Sequence, residues 1–446
     1  MDIRKVLVGA VVAAGVSLPA AAQQKVQIDF WHGLAAPLGP ILETFVKDFN
    51  ESQPKYQINA GYKGSYPDTM QAAIAAFRSG TAPHIVQMFE VGTGTMMAAG
   101  AAVKPLHELL KETGVQIDFD DYLPAVRGYY SLSDGRPVSM PFNSSTAVLW
   151  YNKDAFKKAG LDPENPPKTW PELFETAKKL KDGGVACPYT TAWPTWLQVE
   201  QFSAVHNIPL ATKGNGFQGL DAELRINNPL QVRHLANLVQ AQKDGTFKYG
   251  GRDNAAEALF PSAECAMITT SSGFRGRVER EAKFAWGVAM LPYYPDAPNA
   301  PINSIIGGAS FWVMNKGPGI PRNADELRGV AEFFKFLSAP DQAARWHMQT
   351  GYLPLTRTAY EMAKKADYYQ KNAGAEIPIQ QLLRGDKMTE NSMGIRLGGF
   401  PEIRNIIQEE MERALQGQQT PEQAMQNAAQ RGNTVLRNFE RANRRS

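Results

Sequence analysis

The sequence predicts an α/β protein built as two lobes. Three observations carry this. Strand-like and helix-like segments take turns from residue 26 onward, the connections between them are short and marked by Gly and Pro, and the 446 residues exceed what one hydrophobic core supports.

VQIDFWHG (26–33) alternates like a strand, and ILETFVKDFNESQP (41–54) repeats apolar residues at helical spacing. YQINAGYKG returns to strand, PDTMQAAIAAFRSGTAP to helix and HIVQMFEVG to strand. This order predicts a parallel sheet with ligands at the carboxyl ends of its strands. MPFNSSTAVLWYNKDAFKKAG (140–160) is expected as one strand running into a short helix. Residues 170–181 form a helix capped by Thr169, with Pro171 in the first turn and Glu172 three residues after the cap. ECAMITTSSGFRGRVERE is a strand, a small-residue turn and a helix; SIIGGASFWVM (304–314) is an apolar strand interrupted by a Gly pair. ADELRGVAEFFKFLSAP is an amphipathic helix ending at Pro340, and the chain closes on a helix capped by Thr420 with Pro421 at its first position.

Between these two lies GGFPEIRNIIQEEMERALQG (398–417), a helix opening at Pro401 with Ile403, Ile406, Ile407, Met411 and Leu415 on one face. Its first turn contains Arg404. A helix start carries partial positive charge, so a cation there calls for an anion opposite.

The opening MDIRKVLVGAVVAAGVSLPAAAQQ has a basic start, a short apolar run and small residues before Gln23, the layout of a secretory signal cleaved after Ala22. Periplasmic residence follows as the expectation. Without residues 1–22 the 47 basic and 44 acidic residues fall by two and one, to a net charge of about +2. Such a balance argues against nucleic acid as a partner. Cys187 and Cys265 are the only cysteines. A disulfide and two buried thiols both fit them.

YNKDAFKKAGLDPENPPKTWPELFETAKKLK (151–181) resembles the signature segment of extracellular solute-binding proteins that deliver sugars to ABC importers. Within that family, YKGSYPDTMQAAIAAFRSG, FEVGTGTMMA, PFNSSTAVLWYN, CAMITTSSG, IIGGASFWVM, TGYLPLT and IRLGGFPEIR resemble, in this order, members that bind sn-glycerol 3-phosphate. The resemblance implies a two-lobe, type II, maltose-binding-protein-like fold with an inter-lobe hinge. It implies lobes of 24–139 with 288–339 and of 140–287 with 340–446. It also implies a monomer without catalysis, cofactor or metal, which hands sn-glycerol 3-phosphate or a glycerophosphodiester to membrane permease subunits.

Anions in closed clefts are held by oriented N–H and O–H donors and a cation. The resemblance assigns those donors to Ser145, Ser271, Ser272 and Gly308, with the hydroxyls of Tyr66 and Tyr352. It makes Arg404 the cation for the phosphate, with Arg396 as the rival. Glu90 is implied as acceptor for the glycerol hydroxyls, at the far end from the phosphate charge, and Trp193 and Trp196 as walls beside the glycerol carbons. Taken singly, each of these is an ordinary turn, cap, surface charge or core aromatic. Two other readings compete. A neutral oligosaccharide would need aromatic platforms without the arginine. A phosphate-ester hydrolase would need a metal or an activated nucleophile, yet the six histidines show no HExxH spacing and the chain no G-x-S-x-G elbow. GTGTMM (92–97) fails the dinucleotide pattern at its third Gly.

Overall fold

The computed structural model describes residues 24–385 and 388–444, so the expected signal segment lies outside the described residues. The alternation along the chain becomes strands β1 (Val26–His32), β2 (Tyr56–Tyr62), β3 (Ile85–Phe89), β4 (Val103–Lys104), β5 (Met140–Ser145), β6 (Ala147–Asn152), β7 (Cys187–Thr191), β8 (Phe247–Tyr249), β9 (Cys265–Ser271), β10 (Trp286–Ala289) and β11 (Gly307–Met314). They form two sheets. One runs β2-β1-β3-β11-β4 with β5 also paired to β11, the other β10-β6-β9-β7-β8.

Neither sheet is wholly parallel. β1 pairs parallel with β2 and β3, and β7 with β8 and β9, as strand–helix–strand units require. β11 is antiparallel to β3, β4 and β5, and β6 is antiparallel to β9 and β10. The reason lies in the chain's route. β11 does not climb from a helix of its own lobe; it arrives from β10 in the other sheet and enters its own from the opposite end.

The stretch expected as one strand between 140 and 152 is two, broken at Thr146, with β5 in one sheet and β6 in the other. Thr146 is therefore a crossing. Its hydroxyl lies 2.7 Å from the Ser304 hydroxyl and donates to the Ile305 carbonyl at 2.8 Å. Those partners belong to the segment returning from β10 to β11, so two crossings run side by side and tied together, the arrangement about which lobes rotate as rigid bodies.

Helices cover the sheets where the apolar spacing demanded them. Leu38–Ser52, Tyr66–Arg78 and Ala324–Ser338 pack on the first, Trp170–Asp182 and Pro229–Lys243 on the second. The Thr169 cap is a full capping box with Glu172, and Thr420 makes another with Gln423 at the start of Pro421–Asn443. Cys187 and Cys265 sit in register on neighbouring strands and are joined as a disulfide. Among the described residues no helix is long and apolar enough to cross a membrane.

Candidate functional site

Between the sheets lies a cavity of about 270 Å³. Nine of the ten expected site residues line it: Tyr66, Glu90, Ser145, Trp193, Trp196, Ser271, Gly308, Tyr352 and Arg404. They come from segments as far apart in the chain as Tyr66 and Arg404. Ser272 does not line it. Its amide donates to the Thr146 carbonyl at 2.8 Å and its hydroxyl accepts from the Thr146 amide at 3.3 Å, so it ties the end of β9 to the crossing. Arg396, the rival cation, points elsewhere, with its guanidinium over the Phe217 ring and hydrogen-bonded to the carbonyls of Gly128 and Tyr129.

One end of the cavity is lined by uncharged donors, with the Glu257 carboxyl close enough to act on Tyr352. Ser145 closes β5 opposite Gly307, and Ser271 closes β9 with its hydroxyl accepting from the Gly273 amide at 3.0 Å. The Tyr66 hydroxyl accepts from the Asn143 side chain at 2.9 Å, and burial raises the Tyr66 and Tyr352 pKa values above that of a free phenol, so both stay protonated donors. The Gly pair is explained by close approach. A Cβ on Gly307 would stand 2.3 Å from the Trp196 ring, and one on Gly308 would stand 1.9 Å from the Asn143 carbonyl oxygen. Gly308 also holds φ at +96°, which side chains rarely adopt.

The other end is charged, and it answers why an arginine sits at the start of the helix Phe400–Leu415. Arg404 Nε and Nη2 donate to the two oxygens of Glu200 at 2.7 Å each, and Nη2 donates also to Glu90 at 2.8 Å. The anion is a pair of carboxylates from the protein itself. Glu90 follows β3, and Glu200 lies in the π-helical turn Trp196–Gln201. The cluster is deeply buried, with Arg404 13 %, Glu90 7 % and Glu200 1 % exposed. Burial opposes the charge on Arg404, but Glu200 and then Glu90 outweigh it and raise its pKa above the ordinary guanidinium value. Burial pushes Glu90 upward; Arg404 pulls it back and Glu200 adds to the push. The expectation set Glu90 and Arg404 at opposite ends of a ligand. They are in direct contact.

Three further carboxylate or guanidinium side chains on the lining were not foreseen: Asp253, Glu257 and Arg277. Burial raises the Glu257 pKa to about 7, against hydrogen bonds from Thr270 and Trp193. Asp253 is pushed up by burial as well, and Arg277 is paired with Glu281 at 2.9 Å. Sequence reading missed them because Arg277, in the helix Arg275–Glu281, meets Asp253 and Glu257 of the segment before β9 only in the folded chain. Trp193 signals the site differently. It holds φ at 48°, a strained position for a bulky side chain, and its amide donates to the Asp253 carbonyl at 2.6 Å. A larger open groove of about 810 Å³ elsewhere on the second lobe, along 208–233, has its cations already paired: Arg233 with Asp296, Lys213 with Asp221 and Arg225 with Glu223. Among the described residues it offers a ligand no unpaired cation.

Two sheets joined by paired crossings over a cavity of convergent donors define a solute-binding protein, and residues 35–344 match the family model of bacterial extracellular solute-binding proteins. The chain belongs to that family. Among its relatives is the sn-glycerol-3-phosphate-binding periplasmic protein UgpB of Escherichia coli, 47 % identical over 431 residues, which span 96 % of this chain and 97 % of that one. Solved structures of the same fold include UgpB from Mycobacterium tuberculosis in complex with glycerophosphocholine, with a TM-score of 0.76, 21 % identity and coverage of 93 % of this chain and 99 % of that one. Maltose-bound MalE3 of T. maritima follows, with a TM-score of 0.72, 18 % identity and coverage of 92 % and 99 %.

Proposed function

We propose that this protein is the periplasmic receptor of an ABC importer for sn-glycerol 3-phosphate. It takes the ligand as a monomer between lobes of 24–139 with 288–339 and of 140–287 with 340–446, and delivers it unchanged to the membrane permease subunits. It needs neither a cofactor nor a metal, and it makes and breaks no covalent bond. The observation that carries this reading is the convergence of Tyr66, Glu90, Ser145, Ser271, Gly308, Tyr352 and Arg404 on one inter-lobe cavity, in a chain 47 % identical to a glycerol-phosphate-binding relative.

The chemistry of the two ends orients the ligand. Glu90, Glu200 and Arg404 together carry one net negative charge when both carboxylates are ionised. At an effective dielectric constant near 20, a phosphate charge about 5 Å away would be repelled by about 3 kcal/mol. The phosphate therefore belongs at the neutral end, where hydroxyl and amide dipoles of Ser145, Ser271, Gly308, Tyr66 and Tyr352 meet it. The two glycerol hydroxyls belong at the charged end, since each donates one hydrogen bond and accepts others: Glu90 accepts, Arg404 donates. This replaces the expected pairing of Arg404 with the phosphate. Glycerophosphodiesters are the second reading, favoured by Asp253 and Glu257 beside Trp193 on the same lining, which suit a cationic head group beyond the phosphate. Because Gly308 comes from a segment assigned to one lobe and Ser271 from a segment assigned to the other, a phosphate held by both favours the closed form.

Calorimetric titration with sn-glycerol 3-phosphate, glycerophosphocholine and maltose tests the proposal. Micromolar binding of a phosphate ester supports it, and heat from maltose alone overturns it.

A further inference from the structure

The residue that makes the charged end work never reaches the cavity. Glu200 is absent from the lining, yet its carboxylate is 1 % exposed and spends both oxygens on Arg404. Among the described residues it has no other hydrogen-bond partner. A buried carboxylate with no second role costs several kcal/mol of desolvation unless its one contact returns that cost, so its purpose lies in what it does to Arg404.

We propose that Glu200 is a positioning residue for ligand hydroxyls, acting through Arg404. The geometry is specific. The Glu200 fork occupies Nε and one N–H of Nη2, and Glu90 takes the other N–H of Nη2. Nη1 alone makes no hydrogen bond within the described chain, so both its N–H groups are left for a ligand, and a bidentate pair holds them in one plane. Without Glu200, the guanidinium is free to turn its own fork onto Glu90, consuming the acceptor that the ligand needs. The same π-helical turn supplies Trp196, whose ring fits against the bare Cα of Gly307. One element thus sets the apolar wall and the orientation of the arginine together, and a shift of that turn moves both.

The inference rests on the proposed function, in that it takes the glycerol hydroxyls to meet Glu90 and Arg404. Binding of sn-glycerol 3-phosphate by the unaltered protein is measured first, and absence of binding there refutes the function and not the role of Glu200. Glu200→Gln, which keeps the size and removes the charge, is then titrated alone and in the backgrounds Arg404→Ala and Ser145→Ala. The expected results are a loss of at least ten-fold alone, the same loss on top of Ser145→Ala, and no further loss on top of Arg404→Ala. A role exercised elsewhere than on Arg404 adds its loss to either background, because effects at sites without contact are independent. Affinity within two-fold of the unaltered protein, or a ten-fold loss that persists with Arg404→Ala, overturns the proposal. Should Glu200→Gln not fold, Glu200→Asp keeps the charge, withdraws the fork by one carbon and carries the same three measurements with the same readings.

Discussion

The two ends of the cavity handle charge in opposite ways. At one, a guanidinium and two carboxylates are brought together before any ligand arrives, and they leave one net negative charge when both carboxylates are ionised. At the other, Ser145, Ser271, Gly308, Tyr66 and Tyr352 carry no charge at all. The end built of ions suits the uncharged part of the ligand, and the end built of dipoles suits the anion. The physical reason is desolvation. A buried lone cation would pay heavily for its own burial, whereas fixed dipoles stabilise an anion without an ion of their own to bury. The paired ions contribute direction instead, because a carboxylate beside a guanidinium presents an acceptor and a donor at a set separation.

That contrast is open to breakage. The largest effect is expected from Arg404→Ala, which leaves Glu90 and Glu200 buried and facing each other. Binding of sn-glycerol 3-phosphate should weaken by about 3 kcal/mol or more, over a hundred-fold by calorimetry, and thermal stability should fall with it. A variant within ten-fold of the unaltered protein would mean that the charged end is scaffolding and not site. Ser145→Ala tests the neutral end and should cost about 1.4 kcal/mol, or ten-fold. The loss should be equal for sn-glycerol 3-phosphate and glycerophosphocholine, since both present a phosphate there; a loss confined to one ligand would show that the two are seated differently.

The smallest expected effect is a pH dependence from Glu257. Burial raises its pKa to about 7 from 4.5, so between those values the folded chain keeps a proton that the unfolded chain has released. Stability therefore falls as pH rises through that window and levels off above it. An ionised Glu257 also opposes an anion in the same cavity. Affinity should drop about three-fold between pH 6 and 8, and Glu257→Gln should abolish both slopes when melting and titration are followed across that range. Retention of the melting slope in the variant would assign it to another group of the protein, and retention of the binding slope alone would assign that slope to the ligand's own phosphate.

Local signals were read well from the sequence. Thr169 with Glu172, and Thr420 with Pro421, announce helix starts because a cap is settled by a few consecutive residues; both helices open with capping boxes, the second completed by Gln423. Ile403, Ile406, Ile407, Met411 and Leu415 are all buried, as their spacing required. The Gly pair at 307–308 marked a close approach, although the approaching groups are the Trp196 ring and the β5 backbone. Residues 140–152 misled, since a strand-like stretch does not show that its halves, on either side of Thr146, belong to different sheets. The direction of β11 was equally hidden, because a strand's pattern is the same whichever way it is traversed.

The sequence by itself determined the elements, their caps and, through the order of its motifs, the family and the residues that would share a cavity. Only the tertiary structure decided which charge meets which. Arg404 finds its partners 204 and 314 positions away in the chain. Periodicity and capping depend on neighbours a few residues apart, whereas a pairing across such distances depends on how two sheets and their crossings pack, and no local pattern records that.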